Sequence, residues 1–385
     1  MNEYGVPVVS KALDGATSDI DWNREAIRYA AEIMSAGFRT GIFVADCKLV
    51  TEEHVSAMND ADKRISFVSR CPANFEDKLE NRMIARAYEE GKWYEIGTVT
   101  ETKGSTQYKA ASFIEEVCGT PMRLLVLESD TLRKKAEQSI QEKRAELARV
   151  VKTLEKSQWM CLADAEAERD RFLAMKQVAL FELAVSIERQ VEEKWPRGRR
   201  RADAVPTVTE TFHLHVESVA ECQQACQSFL QRESCFVLIS NVTDGISDED
   251  LLRTYKGQQV GENSFRTLKG PQLASVIYLK SPARIRVLNM LLTFALLLRA
   301  LIQYRLREGL KEFDENHPGE TIHAGWGGRP LKSPTFKLLY EHSVNCCFEH
   351  ESQGRYSFAW PTAETMARVE PLLSLMGISL GNILA

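Results

Sequence analysis

Two short apolar runs constrain this chain more than any other feature. Thr-Gly-Ile-Phe-Val-Ala at Thr40 to Ala45 and Cys-Phe-Val-Leu-Ile-Ser-Asn-Val at Cys235 to Val242 are both too short for ordinary helices. Neither alternates apolar with polar residues, which is the pattern of a strand covered on both faces. The first run expects a buried parallel strand, and Asp46 follows it at once. Around it, Gly5 to Leu13 reads as a strand and Asp14-Gly15 as a turn. Trp22 to Ser35 reads as a helix capped by Asp19 or Asp21, Thr51 to Asp60 as a helix, and Arg64 to Ser69 as a strand. Strand and helix in alternation is α/β order.

From Glu76 the pattern changes. Trp93 to Thr100 and Arg123 to Leu127 suggest strands. No Gly or Pro occurs between Pro121 and Pro196, so much of that span is expected to be helical. Leu132, Ala136, Ile140, Leu147, Val151 and Leu154 recur at helical spacing, as in a hairpin packed within the chain or a coiled coil. Further on, Phe212 to Val216 reads as a strand and Ser218 to Gln231 as a helix. Asp248 to Gly270 and Ala283 to Lys311 read as helices, followed by a strand at Arg355 to Ala359 and a helix at Thr362 to Leu375.

The 385 residues suffice for two domains, or for one with a large insertion. A net charge of −5 argues against a protein that grips DNA over its whole surface. The segment Leu251 to Lys311 is different: Arg253, Lys256, Arg266, Lys280, Arg284 and further cations stand there against Glu262 and Glu308. That density suits a local phosphate-facing surface. Arg197-Gly198-Arg199-Arg200-Arg201 reads equally as a solvated linker or a DNA backbone contact. Nine cysteines without framework spacing suit a reducing cytoplasm. The start has neither a basic region nor an apolar core of the signal-peptide kind. The apolar stretch Val287 to Leu298 is interrupted by Asn289 and Thr293, is too short to span a bilayer, and reads as a buried helix.

The chemistry-bearing pattern is Tyr255, Gln258, Glu262, Arg266 and Lys269, spaced i, i+3, i+7, i+11 and i+14. On one continuous helix these side chains form a single stripe, with Phe265 and Leu268 off it as anchors. An acid among a phenol, an amide and two cations suits a phosphodiester, although an exposed amphipathic helix has the same spacing. His213, His215, Cys222 and Cys226 offer zinc-ligand types, but the cysteines are spaced for a helix rather than a knuckle. Cys47 beside Asp46 has no base near it in sequence and reads as a packed thiol.

The phrase Tyr255-x-x-Gln258-x-x-x-Glu262-x-x-x-x-x-x-Lys269 resembles the Tyr-Arg-Glu-Lys signature of DDE-type bacterial insertion-sequence transposases. Gln258 stands where most of that group has arginine. Phe43-Val44-Ala45-Asp46, the segment Gly5-Val6-Pro7 to Asp19, and Ile277-Tyr278-Leu279 followed by Arg284-Ile285 are similar to the same group, in the same order. The resemblance implies an α/β, ribonuclease H-like catalytic core whose Asp, Asp, Glu triad holds two Mg²⁺ or Mn²⁺ ions. Asp46 and Glu262 match the second Asp and the Glu. Tyr255, Gln258 and Lys269 would contact DNA, joined by Arg266 from its place on the stripe.

The strand of the first Asp would lie upstream of Gly5, so the core is expected to lack its first strands, and Asp14 and Asp19 read as turn and cap residues instead. Residues 1–75 and 235–311 would form the two parts of the core, 76–234 an α+β insertion with long helices, and 312–385 a C-terminal extension. The implied activity is metal-dependent DNA strand cleavage and transfer, absent from this chain alone. The alternative is a DNA-binding or dimerising remnant that inhibits an intact transposase. Implied partners are double-stranded DNA, as transposon ends and target, and a second copy or an intact transposase. No membrane is implied, and the setting would be the bacterial cytoplasm at the nucleoid. A helical scaffold over Leu132 to Trp195, unrelated to DNA, is a third reading.

Overall fold

The computed structural model describes residues 1–385 except 3, 15, 36–40, 61–63, 99–105, 177, 196–204, 269–278, 351–355 and 380–385. The chain divides into two units, Asp19–Lys256 and Met1–Ser18 with Gly257–Ala385.

The first unit runs α1 (Asp19–Ser35), β1 (Phe43–Ala45), α2 (Glu52–Met58), β2 (Phe67–Arg70), α3 (Leu79–Glu90), β3 (Tyr94–Thr98), β4 (Gln107–Val117) and β5 (Thr120–Ser129). It continues through α4 (Asp130–Leu154), α5 (Leu162–Leu173), β6 (Phe181–Lys194), β7 (Thr207–Glu221), α6 (Gln223–Ser234), β8 (Cys235–Ser240) and α7 (Asp248–Lys256). Six strands form a mixed α/β sheet in the order β1-β2-β8-β5-β4-β3. β1 and β2 are parallel, and the other neighbours are antiparallel.

Side-chain alternation sorts the two faces of this sheet. Met122, Leu124, Val126, Val237 and Ile239 face α1, α2 and α3, while Leu125, Leu127, Phe236 and Leu238 face α7. All six residues of β8 are buried, so the uninterrupted run has its cause in two covered faces. β8 is antiparallel to both neighbours, β2 and β5. β1 is parallel to β2 as expected, but it is an edge strand and only half-buried. Strands from segments assigned by sequence to a core and to an insertion share this one sheet.

The span without Gly or Pro is not helical throughout. α4 and α5 end at Leu154 and Leu173, and Phe181–Lys194 is a long strand paired antiparallel with β7. Phe181, Leu183, Val185 and Ile187 alternate at period two, a strand signal that absence of breakers does not cancel. Ile140, Leu147 and Leu154 of α4 pack within the chain with Phe172, Leu214 and Cys226.

The second unit holds α8 (Gln259–Leu268), α9 (Pro282–Asn316), α10 (Phe336–Ser343), β9 (Cys347–His350), β10 (Tyr356–Ala359) and α11 (Ala363–Leu375). Leu306 and Leu310 of α9 bury against Leu338, Leu339, Val369 and Leu372. No strand forms over Gly5 to Leu13; Asn2 Oδ1 instead accepts from the amides of Tyr4 and Val6, and Val8 and Val9 are exposed. For α9 the sequence suggests a buried helix too short to span a bilayer, and the structure differs. Its 35 residues include an apolar window long enough to cross a membrane by length and composition, and little of that window is buried.

Candidate functional site

Asp46 stands at the carboxyl end of β1, the end where open α/β sheets place ligands. Its Oδ1 accepts from the amide of Lys48 at 3.0 Å and caps the turn Cys47–Leu49. The Ser69 hydroxyl donates to its carbonyl at 2.7 Å, which ties the end of β1 to β2. In this register Ala45 lies beside Ser69, and Asp46 and Arg70 follow them at the carboxyl ends of the parallel strands. The Asp46 side chain is exposed.

Arg70 opens onto a cavity of about 290 Å³, which Tyr108, Phe236, Tyr255, Lys256 and Thr131 also line. The Lys256 ammonium lies 5.2 Å from the Phe236 ring centre and 5.5 Å from that of Tyr108. The Arg70 guanidinium carbon is 6.0 Å from the same Phe236 ring. Aromatic faces attract these cations, the half-buried Lys256 and the exposed Arg70, and hold them at the cavity. Thr131, in the first turn of α4, is hydrogen-bonded at 2.9 Å to Thr106. Glu80 approaches Arg70 at 3.5 Å; burial pushes its carboxyl above the usual range, and the Arg70 charge opposes that shift. Two cations, hydroxyls and aromatic walls suit a phosphate group with an attached ring or sugar.

The Tyr255 stripe does not lie on one continuous helix. α7 ends at Lys256, Gly257 and Gln258 form a turn, and α8 begins at Gln259. Glycine is a poor helix residue, and the break falls on it. Tyr255 is buried with Leu251 and Leu252 against the sheet. Gln258, Glu262 and Arg266 keep their i, i+4, i+8 spacing, with the Glu262 amide donating to the Gln258 carbonyl at 3.2 Å. Glu262 and Arg266 are exposed. Phe265 is exposed too and does not anchor α8; the buried residue is Ser264, and Gly5 lies close against Val260 and Ser264. Lys269 and Arg197 to Arg201 lie outside the described residues.

Asp46 belongs to the first unit and Glu262 to the second. Among the described residues, no three His, Cys, Asp or Glu side chains gather to hold a metal ion. Among the described residues of either unit, the gathered donors fall short of a two-metal set. The same holds for zinc: the Cys226 thiol donates to the Leu180 carbonyl, and His215 faces Glu155 at 3.5 Å.

Sequence reading missed Arg70 as a site residue and counted Lys256 only within a basic run. Arg70 ends β2 as Asp46 ends β1, a signal visible only once the two strands are paired. Within the basic run, Arg253 is paired with Glu249 and Asp250 and forms an ordinary solvated helix face. In the second unit a groove of about 540 Å³ mixes Arg307, Lys311 and Lys332 with Asp314 and Glu315, and it holds none of the motif residues.

No family model matches the chain, and neither a curated protein nor a solved structure is significantly similar to it.

Proposed function

We propose that this chain is a DNA-binding protein of the DDE-type insertion-sequence transposase class, and that the cavity at Tyr255 and Lys256 receives a phosphate of the DNA backbone. The observation that carries the reading is the convergence of Arg70 and Lys256 on one aromatic-walled cavity, at the strand ends where Asp46 stands. The cavity includes the tyrosine of the signature-like phrase. On this reading the parallel pair β1 and β2 belongs to a ribonuclease H-like core. Asp46 and Glu262 occupy the positions of metal-holding acids for Mg²⁺ or Mn²⁺, and Gln258, Arg266 and Lys269 extend the DNA-facing surface.

A second form of this reading is binding without strand cleavage. Such a protein would occupy transposon ends, or pair with an intact transposase, and so inhibit it.

Fluorescence anisotropy tests this with labelled duplexes taken from the DNA flanking the coding segment, against a random duplex, over a salt titration. Binding should weaken steeply with salt. The Arg70→Ala/Lys256→Ala variant should flatten the log–log slope by about one, since the cavity takes one phosphate and each phosphate contact contributes ~0.9. Salt-independent binding, or a slope unmoved by the variant, defeats the proposal. A supercoiled plasmid with Mg²⁺ or Mn²⁺ should remain intact; nicking that disappears in Glu262→Ala would overturn the non-cleaving reading and leave the DNA-binding one standing.

A further inference from the structure

α9 carries two apolar faces, and its own unit covers one of them. Leu296, Ala300, Leu306 and Leu310 are buried, and Asn289 and Thr293 bond to the Ser10 hydroxyl on that same side. On the opposite side Val287, Leu291, Phe294, Leu298 and Leu301 are each between 43% and 56% exposed. Their spacing is four, three, four, three, which is the heptad seam of a helix that packs against another helix. An isolated exposed apolar side chain needs no explanation, but five in one seam do.

We propose that this seam pairs with the same seam of a second copy of the chain, with the two α9 helices antiparallel. The positions flanking the seam are Leu288, Met290, Ala295, Leu297, Ile302 and Tyr304, all uncharged, so two copies meet without like charges along the apolar stretch. The ends of the seam select the direction. Parallel pairing sets Arg284 against Arg284 and Arg305 against Arg305. Antiparallel pairing in one register sets Phe294 against Leu298, Leu291 against Leu301, and Val287 against the aliphatic stem of Arg305. That same register brings Arg284 opposite Glu308 of the other copy at both ends. An acid and a base thus fall opposite each other where the apolar seam stops, as partner-choosing charges do in coiled coils. A bilayer would leave this match without purpose, and the polar bonds to Ser10 on the other face oppose a spanning helix. The inference is independent of the DNA reading, because it uses no residue of the cavity.

Sedimentation of the full chain tests it, with circular dichroism and thermal melting run in parallel. The expected result is a species of twice the monomer mass. Leu291→Glu/Leu298→Glu should sediment as a monomer with an unchanged spectrum, since both side chains are exposed in the single chain, and its melting should lose the concentration dependence of the dimer. Arg284→Glu alone and Glu308→Arg alone should each weaken association on the order of tenfold, and the combined swap should restore it. A wild-type monomer, a dimer indifferent to the glutamates, or a swap that fails to restore pairing overturns the proposal. So does wild-type protein that stays monomeric but floats with phosphatidylglycerol vesicles.

Discussion

The guanidinium of Arg123 meets the carboxylate of Asp248 at 3.3 Å, in a place where the arginine side chain is almost wholly buried. Arg123 lies on the face of β5 that α7 covers, and it also donates to the carbonyls of Thr243 at 2.6 Å and Ile246 at 2.9 Å. One side chain therefore fixes the loop that leads into α7, whose far end carries Tyr255 and Lys256. Tyr94 and Ser112 also donate to Asp248, which fixes the first turn of the helix from β3 and β4. Replacing Arg123 by Met leaves two carbonyls without their donor and Asp248 without its cation, and breaking a buried pair from one side costs about 3–5 kcal/mol. Urea unfolding should show a loss of roughly that size. Arg123→Lys should not restore it, because an ammonium cannot span three acceptors with the geometry of a fork. Full rescue by lysine would show that charge alone, and not the fork, holds the loop.

The Arg70–Glu80 pair gives a prediction with a definite pH sign. Burial is the larger influence on Glu80 and raises its pKa, while Arg70 lowers it. The native state therefore holds this proton more tightly than the unfolded state does. The ionised carboxylate opposes folding at neutral pH, and that cost disappears as pH falls through the folded pKa towards the unfolded value. Glu80→Gln should raise the denaturation midpoint at pH 7 and leave it nearly unchanged at pH 4. The substitution also frees Arg70 from its acid, so DNA binding should tighten at low salt. A midpoint lowered equally at both pH values would mean that the ion pair, and not desolvation, dominates.

What could be read beforehand was what local pattern determines. The six buried residues of β8, the helix opened by Thr362, and the long α9 all follow from composition and caps within their own segments. Asp46 could be placed at a strand end because Phe43, Val44 and Ala45 precede it. What could not be read depends on partners distant in sequence. β6 is a strand because β7 pairs with it along its length, whereas the missing glycines and prolines suggested a helix. β4 went unread although Ala110, Ala111 and Phe113 sit in its core faces, because charged residues are interspersed with them. The break at Gly257 turns a regular stripe into two helices, since the register of a motif says nothing about whether the backbone stays helical through it. Arg70 gains meaning only once β1 and β2 are paired, which sets it at the same end of the sheet as Asp46.

Gly309, midway along the covered part of α9, tests how closely the helices of the second unit approach. A Cβ at this position would lie 1.8 Å from the Leu375 carbonyl oxygen and 2.6 Å from its carbon, both backbone atoms of α11. Two effects compete in Gly309→Ala. Alanine is favoured over glycine inside a helix by about 1 kcal/mol. Against that, backbone cannot rotate away as a flexible side chain can, and forcing even one carbon into a packed contact costs roughly 1–3 kcal/mol or more. At 1.8 Å the steric effect should win, so Gly309→Ala should melt at a lower temperature than the wild type. The loss should be confined to probes of the second unit, such as a fluorophore on α11, while the buried strands of the first unit keep their hydrogen-exchange protection. A Gly309→Ala variant that melts above the wild type would show that α9 and α11 do not approach this closely, with the propensity gain left unopposed.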